Sequence, residues 1–188
     1  MTPASDEKLM QAYATGDANA FDLLYQSYRA PLYRFILRQV KDPVSSNDIF
    51  QLCWEKVIKG RLGYSSKSPF AAWLFRIARN AVVDHFRRQS SSPNHELPEL
   101  TSANPGPEES ALEYESANSL AEAIDSLPAE QREVVLLRLE AGLDLATIAD
   151  LAGINAETCK SRLRYALGKL KQQMQESPEP AGGHHGPR

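Results

Sequence analysis

Two stretches of this 188-residue chain combine residue types and spacings suited to holding nucleic acid. The first is SPFAAWLFRIARNAVVDHFRR at 68–88. On a helix its Arg76, Asn80, Asp84 and Arg87, spaced by four, four and three, line up as one polar stripe. Arg79 and Arg88 add charge, and Phe70, Trp73 and Phe86 are interleaved among them. Aromatic rings near cations suit unpaired bases, because every base offers a stacking face and the cations follow the backbone. Packing competes with that reading. Phe70, Trp73 and Phe86 lie on or near the apolar stripe of the same helix, and His85 fits a packed core position better than a ligand or general base. Asp84 can also pair with Arg88 one turn on.

The second stretch is LATIADLAGINAETCKSRLR at 145–164. Asp144 can cap a short helix, Gly153 turns the chain, and Asn155 caps a second helix. Ala149 is small where two helices must cross, and Ile148, Ala152, Ile154, Cys159 and Leu163 supply the inward face. Ala156, Glu157, Lys160, Ser161 and Arg164 are then left outward at the start of the second helix. That is the part of a helix-turn-helix that enters a major groove. Between Thr158 and Gln175 lie Lys160, Arg162, Arg164, Lys169 and Lys171 and no acidic residue. Such a helix can neutralise phosphates while short polar side chains reach base edges. A solvated basic hairpin is the bland alternative; the caps, the small residue and the glycine turn together favour DNA.

Other reactive residue types lead nowhere. Cys53 and Cys159 sit far apart inside apolar helical patterns, so packing explains them better than a metal site or a disulfide. Asp6-Glu7 and Glu108-Glu109 are expected in flexible segments, and His184-His185 in a disordered tail. No Gly-rich phosphate loop, HExxH or nucleophile elbow is present. An enzyme is not expected, nor a metal or cofactor.

The elements that must position these residues are helices. Phe21, Leu24, Tyr25, Tyr28, Leu32, Phe35 and Ile36 draw one apolar stripe, with Pro31 expected to kink that helix or begin another. Ser45 or Ser46 is expected to cap a helix bearing Ile49, Leu52, Cys53, Lys56 and Val57 on one face. Ser68-Pro69 predicts the start of the helix reaching Arg88, and Leu127-Pro128-Ala129 opens one that stops at Gly142. No period-two run with turn punctuation appears, so the expected fold is all-α. Residues 89–107, with four prolines and five serines or threonines, predict a linker. Two small helical domains, 5–88 and 118–174, should flank an acidic linker at 89–117 and precede a tail at 175–188.

Charge follows the same division. The net −3 combines +5 over 1–88, −6 over 89–118 and −2 over 119–188, so a total that argues against nucleic acid conceals a basic first block. The start, MTPASDEKLM, lacks a signal-peptide pattern, and the longest apolar run, Phe70 to Phe75, cannot span a bilayer. A cytoplasmic protein without membrane insertion is expected.

In order and spacing, these segments resemble the extracytoplasmic-function (ECF) group of bacterial sigma-70 factors. The resemblance covers about 9–88 and 118–174 and is strongest in FAAWLFRIARNAVVDHFRR (70–88), SLPAEQREVVLLR (126–138) and TCKSRLRYALGKL (158–170). It implies that the first block is sigma region 2 and the second is region 4. DIFQLCWEKVIKG at 48–60 is similar to the helix that docks on the β′ clamp helices of core RNA polymerase, with Asp48, Gln51 and Trp54 at matching positions. Loop 59–68 and helix 70–88 are similar to the parts that open the −10 element and hold its non-template strand. Asn80, Asp84, Arg87 and Arg88 match that motif, and Trp73 and Arg76 on the same helix join them as expected strand contacts. The last helix is similar to the reader of the −35 duplex, with Thr158, Lys160, Ser161 and Arg164 in place, and Arg132 matches an arginine that touches phosphate.

The partners implied are core polymerase (β′ clamp helices and β flap), promoter DNA and, as a candidate, an anti-sigma factor. The linker is implied to thread toward the polymerase's RNA channel. Asn47 and Leu52 stand where the docking motif usually has acids. Thr147 stands for a usual Glu, Cys159 for Val and Tyr165 for a common Arg. Two other readings stay open: a stand-alone operator-binding regulator, and a sigma-like partner that binds core without opening promoters.

Overall fold

A computed structural model describes residues 5–90 and 119–176. Glu108-Glu109, His184-His185, the expected linker beyond Ser90 and the tail from 177 on lie outside these residues. Helices α1 (Asp6–Ala14), α2 (Ala18–Val40), α3 (Pro43–Gly60) and α4 (Phe70–Ser90) form a first unit, with a short 3-10 turn at Arg61–Gly63. Residues 119–125 form α5. Helices α6 (Ala129–Leu139), α7 (Leu145–Ala152) and α8 (Ala156–Glu176) complete a second unit. The fold is all-helical, with no strand among the described residues.

Short polar side chains start several of the helices. Asp17 Oδ1 accepts from Asn19 N at 3.0 Å, Asp144 Oδ1 from Thr147 N at 2.8 Å and Asn155 Oδ1 from Thr158 N at 2.8 Å. These caps satisfy backbone donors that have no partner in a helix's first turn. Helix α3 starts earlier than expected. Asp42 Oδ2 accepts from Ser45 N at 2.9 Å, with Pro43 in the first turn, so Ser45 and Ser46 lie inside the helix and do not cap it. Helix α4 begins at Phe70, just after Ser68-Pro69, and Glu7 Oε1 of α1 accepts from Phe70 N at 3.1 Å. Asp6 accepts the Tyr28 hydroxyl. The Asp6-Glu7 pair, expected to be flexible, is therefore helical and ties α1 to both α2 and α4. Pro31 begins no second helix: α2 runs through it for 23 residues.

Three of these carboxylates should make stability depend on acid. Glu7 and Asp144 are held below the usual range chiefly by backbone N–H donors, and Asp42 chiefly by the Ser45 hydroxyl. A folded-state pKa below the unfolded one gives stability that is present above the ordinary carboxylate range, about pH 4. That stability is lost as pH falls through the lowered values. Thermal melts followed by far-UV circular dichroism should give a constant midpoint above that range and a falling one below it. Asp42→Ala should lower the midpoint at neutral pH and flatten part of the acid fall.

Apolar stripes then decide the packing. Leu24, Leu32, Phe35 and Ile36 of α2 meet Ile49, Cys53 and Val57 of α3 and Leu74, Phe75 and Ala78 of α4, all buried. Phe35 and Phe75 cross edge-on at 5.3 Å in the middle of this layer. In the second unit Ile148 and Ala149 of α7 pack with Cys159, Ala166 and Leu170 of α8 over Val134, Val135 and Leu137 of α6. Helix α6 also lies against α2, and α7 against α4, so the buried side chains of both units form one continuous cluster.

Candidate nucleic-acid interface

Helix α4 divides along its length. Its first half is largely buried, with Phe70, Ala71, Ala72, Leu74 and Phe75 facing inward. Its last turns carry the polar stripe outward. Asn80, Arg87 and Arg88 are exposed and Asp84 is half-buried, so four of the expected strand contacts gather at one end. Arg87 pairs with Asp84 at 3.0 Å. Arg88 instead donates Nε to the Asp84 backbone carbonyl at 3.2 Å, which replaces the expected Asp84–Arg88 carboxylate pair. Phe86 and Val83 are exposed beside them.

Trp73 sits a turn or more away, half-buried. Its ring lies 5.1 Å from Tyr64 and 6.0 Å from Phe70. A Cβ on Gly60 would come within 3.3 Å of that ring, so the end of α3 approaches Trp73 because residue 60 has no side chain. The Tyr64 hydroxyl donates to Ser68 O at 2.9 Å and anchors the loop before α4. Burial, then the charges of Glu7 and Asp6, push the Tyr64 hydroxyl up to about 12, so it stays protonated as a donor.

On α3, Asp48 and Gln51 are exposed and line an open groove of about 580 Å³ together with Leu52, Glu55, His85 and Arg88. The expected docking residues and the end of the strand stripe thus share one depression. Trp54 does not join them. It is 5% exposed, packed among Phe21, Tyr25 and Phe50, so its surface serves the core. Glu55 was not anticipated, although 48, 51, 52 and 55 share a helical face.

The helix-turn-helix forms as expected. Gly153 takes φ 68° between α7 and α8, a left-handed conformation that glycine adopts without steric cost. Lys160 and Arg164 are exposed one turn apart, with Thr158 and Ser161 half-buried alongside. The Arg164 guanidinium lies over the exposed Tyr165 ring at 5.1 Å. Two arginines point elsewhere. Arg162 turns inward to Glu130 at 2.6 Å, which leaves Lys160, Arg164, Lys169 and Lys171 as the exposed cations of α8. Arg132 is 8% exposed and donates Nη1 to Asp125 O at 2.9 Å, bracing α6 against the end of α5. In this arrangement its guanidinium is withdrawn from any phosphate. Both thiols are buried and raised by desolvation, Cys53 to about 12, so neither is a reactive thiolate.

Comparison with known proteins matches both units. Residues 24–92 match the family described as Sigma-70 region 2, and 117–170 match Sigma-70, region 4. ECF RNA polymerase sigma factor SigD of Mycobacterium tuberculosis is 30% identical over 167 residues, covering 85% of this chain and 79% of that one. The chain belongs to the ECF sigma factors. BldN of Streptomyces coelicolor, also an ECF sigma factor, is 32% identical, over 87% of this chain and 65% of its own length. The sigma factor RpoE from Bartonella quintana, solved with the anti-sigma factor NepR, shares the fold at a TM-score of 0.69 and 22% identity, over 84% of this chain and 98% of that one. CnrH, solved with the cytosolic domain of CnrY, shares it at 0.65 and 21%, over 93% and 100%.

This sigma factor has a set of polar contacts that the sequence did not announce. Arg34 makes a bidentate pair with Glu140, its shortest bond 2.7 Å. Arg38 pairs with Asp125, and Lys41 Nζ donates to Asp125 O at 3.1 Å. Arg76, an expected strand contact, instead donates to Asp150 of α7 at 2.5 Å. Arg79 pairs with Glu133 at 2.8 Å and donates to Ala152 O at 3.2 Å. Much of the basic character of the first block is therefore directed at the second unit. No helix among the described residues is long and apolar enough to cross a membrane.

Proposed function

We propose that this sigma factor binds core RNA polymerase and directs promoter-specific initiation, with α4 holding the −10 strand and α8 reading the −35 duplex. One observation carries the reading: two separate outward polar and cationic faces, at the end of α4 and the start of α8, lie on units matching regions 2 and 4. Asn80, Asp84, Arg87 and Arg88, with Trp73 and Arg76, offer hydrogen bonds, charge and a ring edge to flipped bases. Strand binding offsets the few kcal/mol of unstacking each base requires. Lys160 and Arg164 supply phosphate neutralisation and base-edge donors, with Thr158 and Ser161 as short polar neighbours. Arg132 supports the duplex face by holding α6 in place.

Asp48 and Gln51 present the docking face to the β′ clamp helices, and the second unit meets the β flap. The domain spans are 5–88 and 118–174, with 89–117 running between them and 175–188 following. Bond formation belongs to the polymerase, and the factor itself is not an enzyme. It works beside polymerase in the cytoplasm on a stress or envelope-response regulon. An anti-sigma factor fits as regulator, in keeping with RpoE from Bartonella quintana, which was solved with the anti-sigma factor NepR.

Runoff transcription with purified core enzyme over genomic fragments tests this. Promoter-dependent product is expected, and Asp48→Lys should reduce both co-migration with core and product. No product from any fragment sinks the proposal. Tight duplex binding without co-migration would point to a stand-alone regulator, and core binding without opening to a sigma-like decoy.

A further inference from the structure

We propose that Glu7 is a positioning residue for strand capture: from α1 it caps the start of α4 and so fixes the corner where Trp73 stands. This rests on the −10 reading proposed above. No residue of α1 belongs to the strand or docking sets, and the region 2 match begins only at residue 24. Yet Glu7 Oε1 accepts from Phe70 N, the first donor of α4, at 3.1 Å. The first N–H groups of a helix have no partner within it, and a carboxylate placed there also meets the positive end of the helix dipole. Its own N–H and that of Phe70 hold the Glu7 carboxyl below the usual range, so it is ionised at neutral pH.

The same corner is held from two further sides. Phe70 is fully buried and meets the Tyr28 ring edge-on at 5.3 Å. Asp6, beside Glu7, accepts the Tyr28 hydroxyl. Burial, then the Asp6 carboxylate, push that hydroxyl up, so it stays a donor. Near the other end of α1, the Arg61 guanidinium lies over the Tyr13 ring at 5.8 Å. Arg61 also donates Nη1 to Ile58 O at 2.8 Å. Helix α1 thus touches the chain between α3 and α4 at both ends, Arg61 and Phe70. Between them Tyr64 stands 6.2 Å from the Phe70 ring and 5.1 Å from that of Trp73. A line of direct contacts therefore runs from Glu7 through Phe70 and Tyr64 to Trp73, and movement at the start of α4 displaces the ring offered to a flipped base. The seat of α1 does not depend on Glu7 alone, because Met10 is fully buried and Leu9 and Tyr13 pack against the core. Loss of the carboxylate should loosen the corner and leave the fold intact.

The test compares Glu7→Ala with Glu7→Gln, which keeps an oxygen acceptor, in the full chain. Acrylamide quenching of tryptophan fluorescence reads the corner without DNA, because Trp54 is 5% exposed and the quenched signal comes mainly from Trp73. Fluorescence anisotropy reads a labelled single strand carrying the non-template −10 sequence of a promoter found by runoff transcription. Both are measured well below the melting midpoint, where circular dichroism shows each variant as helical as wild type. Glu7→Ala should raise the quenching and weaken strand binding about fivefold, the loss expected when about one molecule in five holds the competent corner. Its binding to the −35 duplex should not change. Glu7→Gln should recover most of both losses. If Glu7→Ala fails to fold, Glu7→Asp, which keeps the charge but shortens its reach, replaces it in the same comparison. A folded Glu7→Ala protein that binds the strand as wild type does overturns the proposal, and so does a Glu7→Gln protein no better than Glu7→Ala. If quenching changes as expected while not even wild type binds the strand, the −10 assignment fails and the hold of Glu7 on the corner stands.

Discussion

Arg164→Ala should weaken binding to the −35 duplex by about 1–3 kcal/mol, roughly five- to 150-fold, and leave co-migration with core polymerase unchanged. Arg164 is exposed in the first half of α8, one turn beyond Lys160, and its guanidinium rests on the Tyr165 ring rather than on a carboxylate. A planar fork held in this way keeps its donors available for a bidentate base contact. Its removal therefore takes sequence readout as well as charge. Lys169→Ala, near the far end of α8, should cost less, do so equally on all sequences, and lower the salt slope by about one. Duplex titrations at several salt concentrations with matched and mismatched −35 sequences separate the two. Equal losses from both variants on every sequence would refute a reading role for Arg164.

Phe75→Ala should destabilise the protein by about 3–5 kcal/mol, a large share of the roughly 5–15 kcal/mol that holds a typical domain. Phe75 is fully buried and meets Phe35 edge-on between α2 and α4. Truncation removes the ring's transfer free energy and leaves a cavity that helices fixed on several sides cannot close. Urea denaturation measures the loss. Helix α4 carries Phe75 inward and Asn80 and Arg87 outward, so binding of single strands should fall along with stability. A variant as stable as wild type would show that the Phe35–Phe75 layer is not the centre of the first unit.

Signals confined to a few neighbouring residues were legible in the sequence. The α7–turn–α8 motif needed only Asp144, Gly153 and Asn155, each acting on backbone within three residues of itself, and all three act as read. The apolar stripes of α2 and α4 likewise follow from helical period. Side-chain direction was less legible. Trp54 stands next to Cys53 and one turn from Phe50, so it extends the buried stripe of α3, and its ring outweighs a motif position that implied exposure. Arg162 belongs to the basic run of the last helix and Arg132 matches a motif position that implies a phosphate contact, yet both turn to acceptors on neighbouring helices. Least legible were contacts between distant residues. Glu7 caps Phe70 across 63 positions, and Arg34 meets Glu140 across 106. Segment charges gave the sign of such attractions without their partners.

The seam between the units has a further property, because both sides belong to one molecule. Association with polymerase or promoter grows with the amount of protein present. An intramolecular contact does not: both faces are carried by one chain, so the local concentration of one near the other is fixed by the covalent connection. Dilution therefore leaves the contact between the two units untouched. Raising the expression of this sigma factor multiplies its encounters with polymerase and promoter and leaves this internal contact as it was.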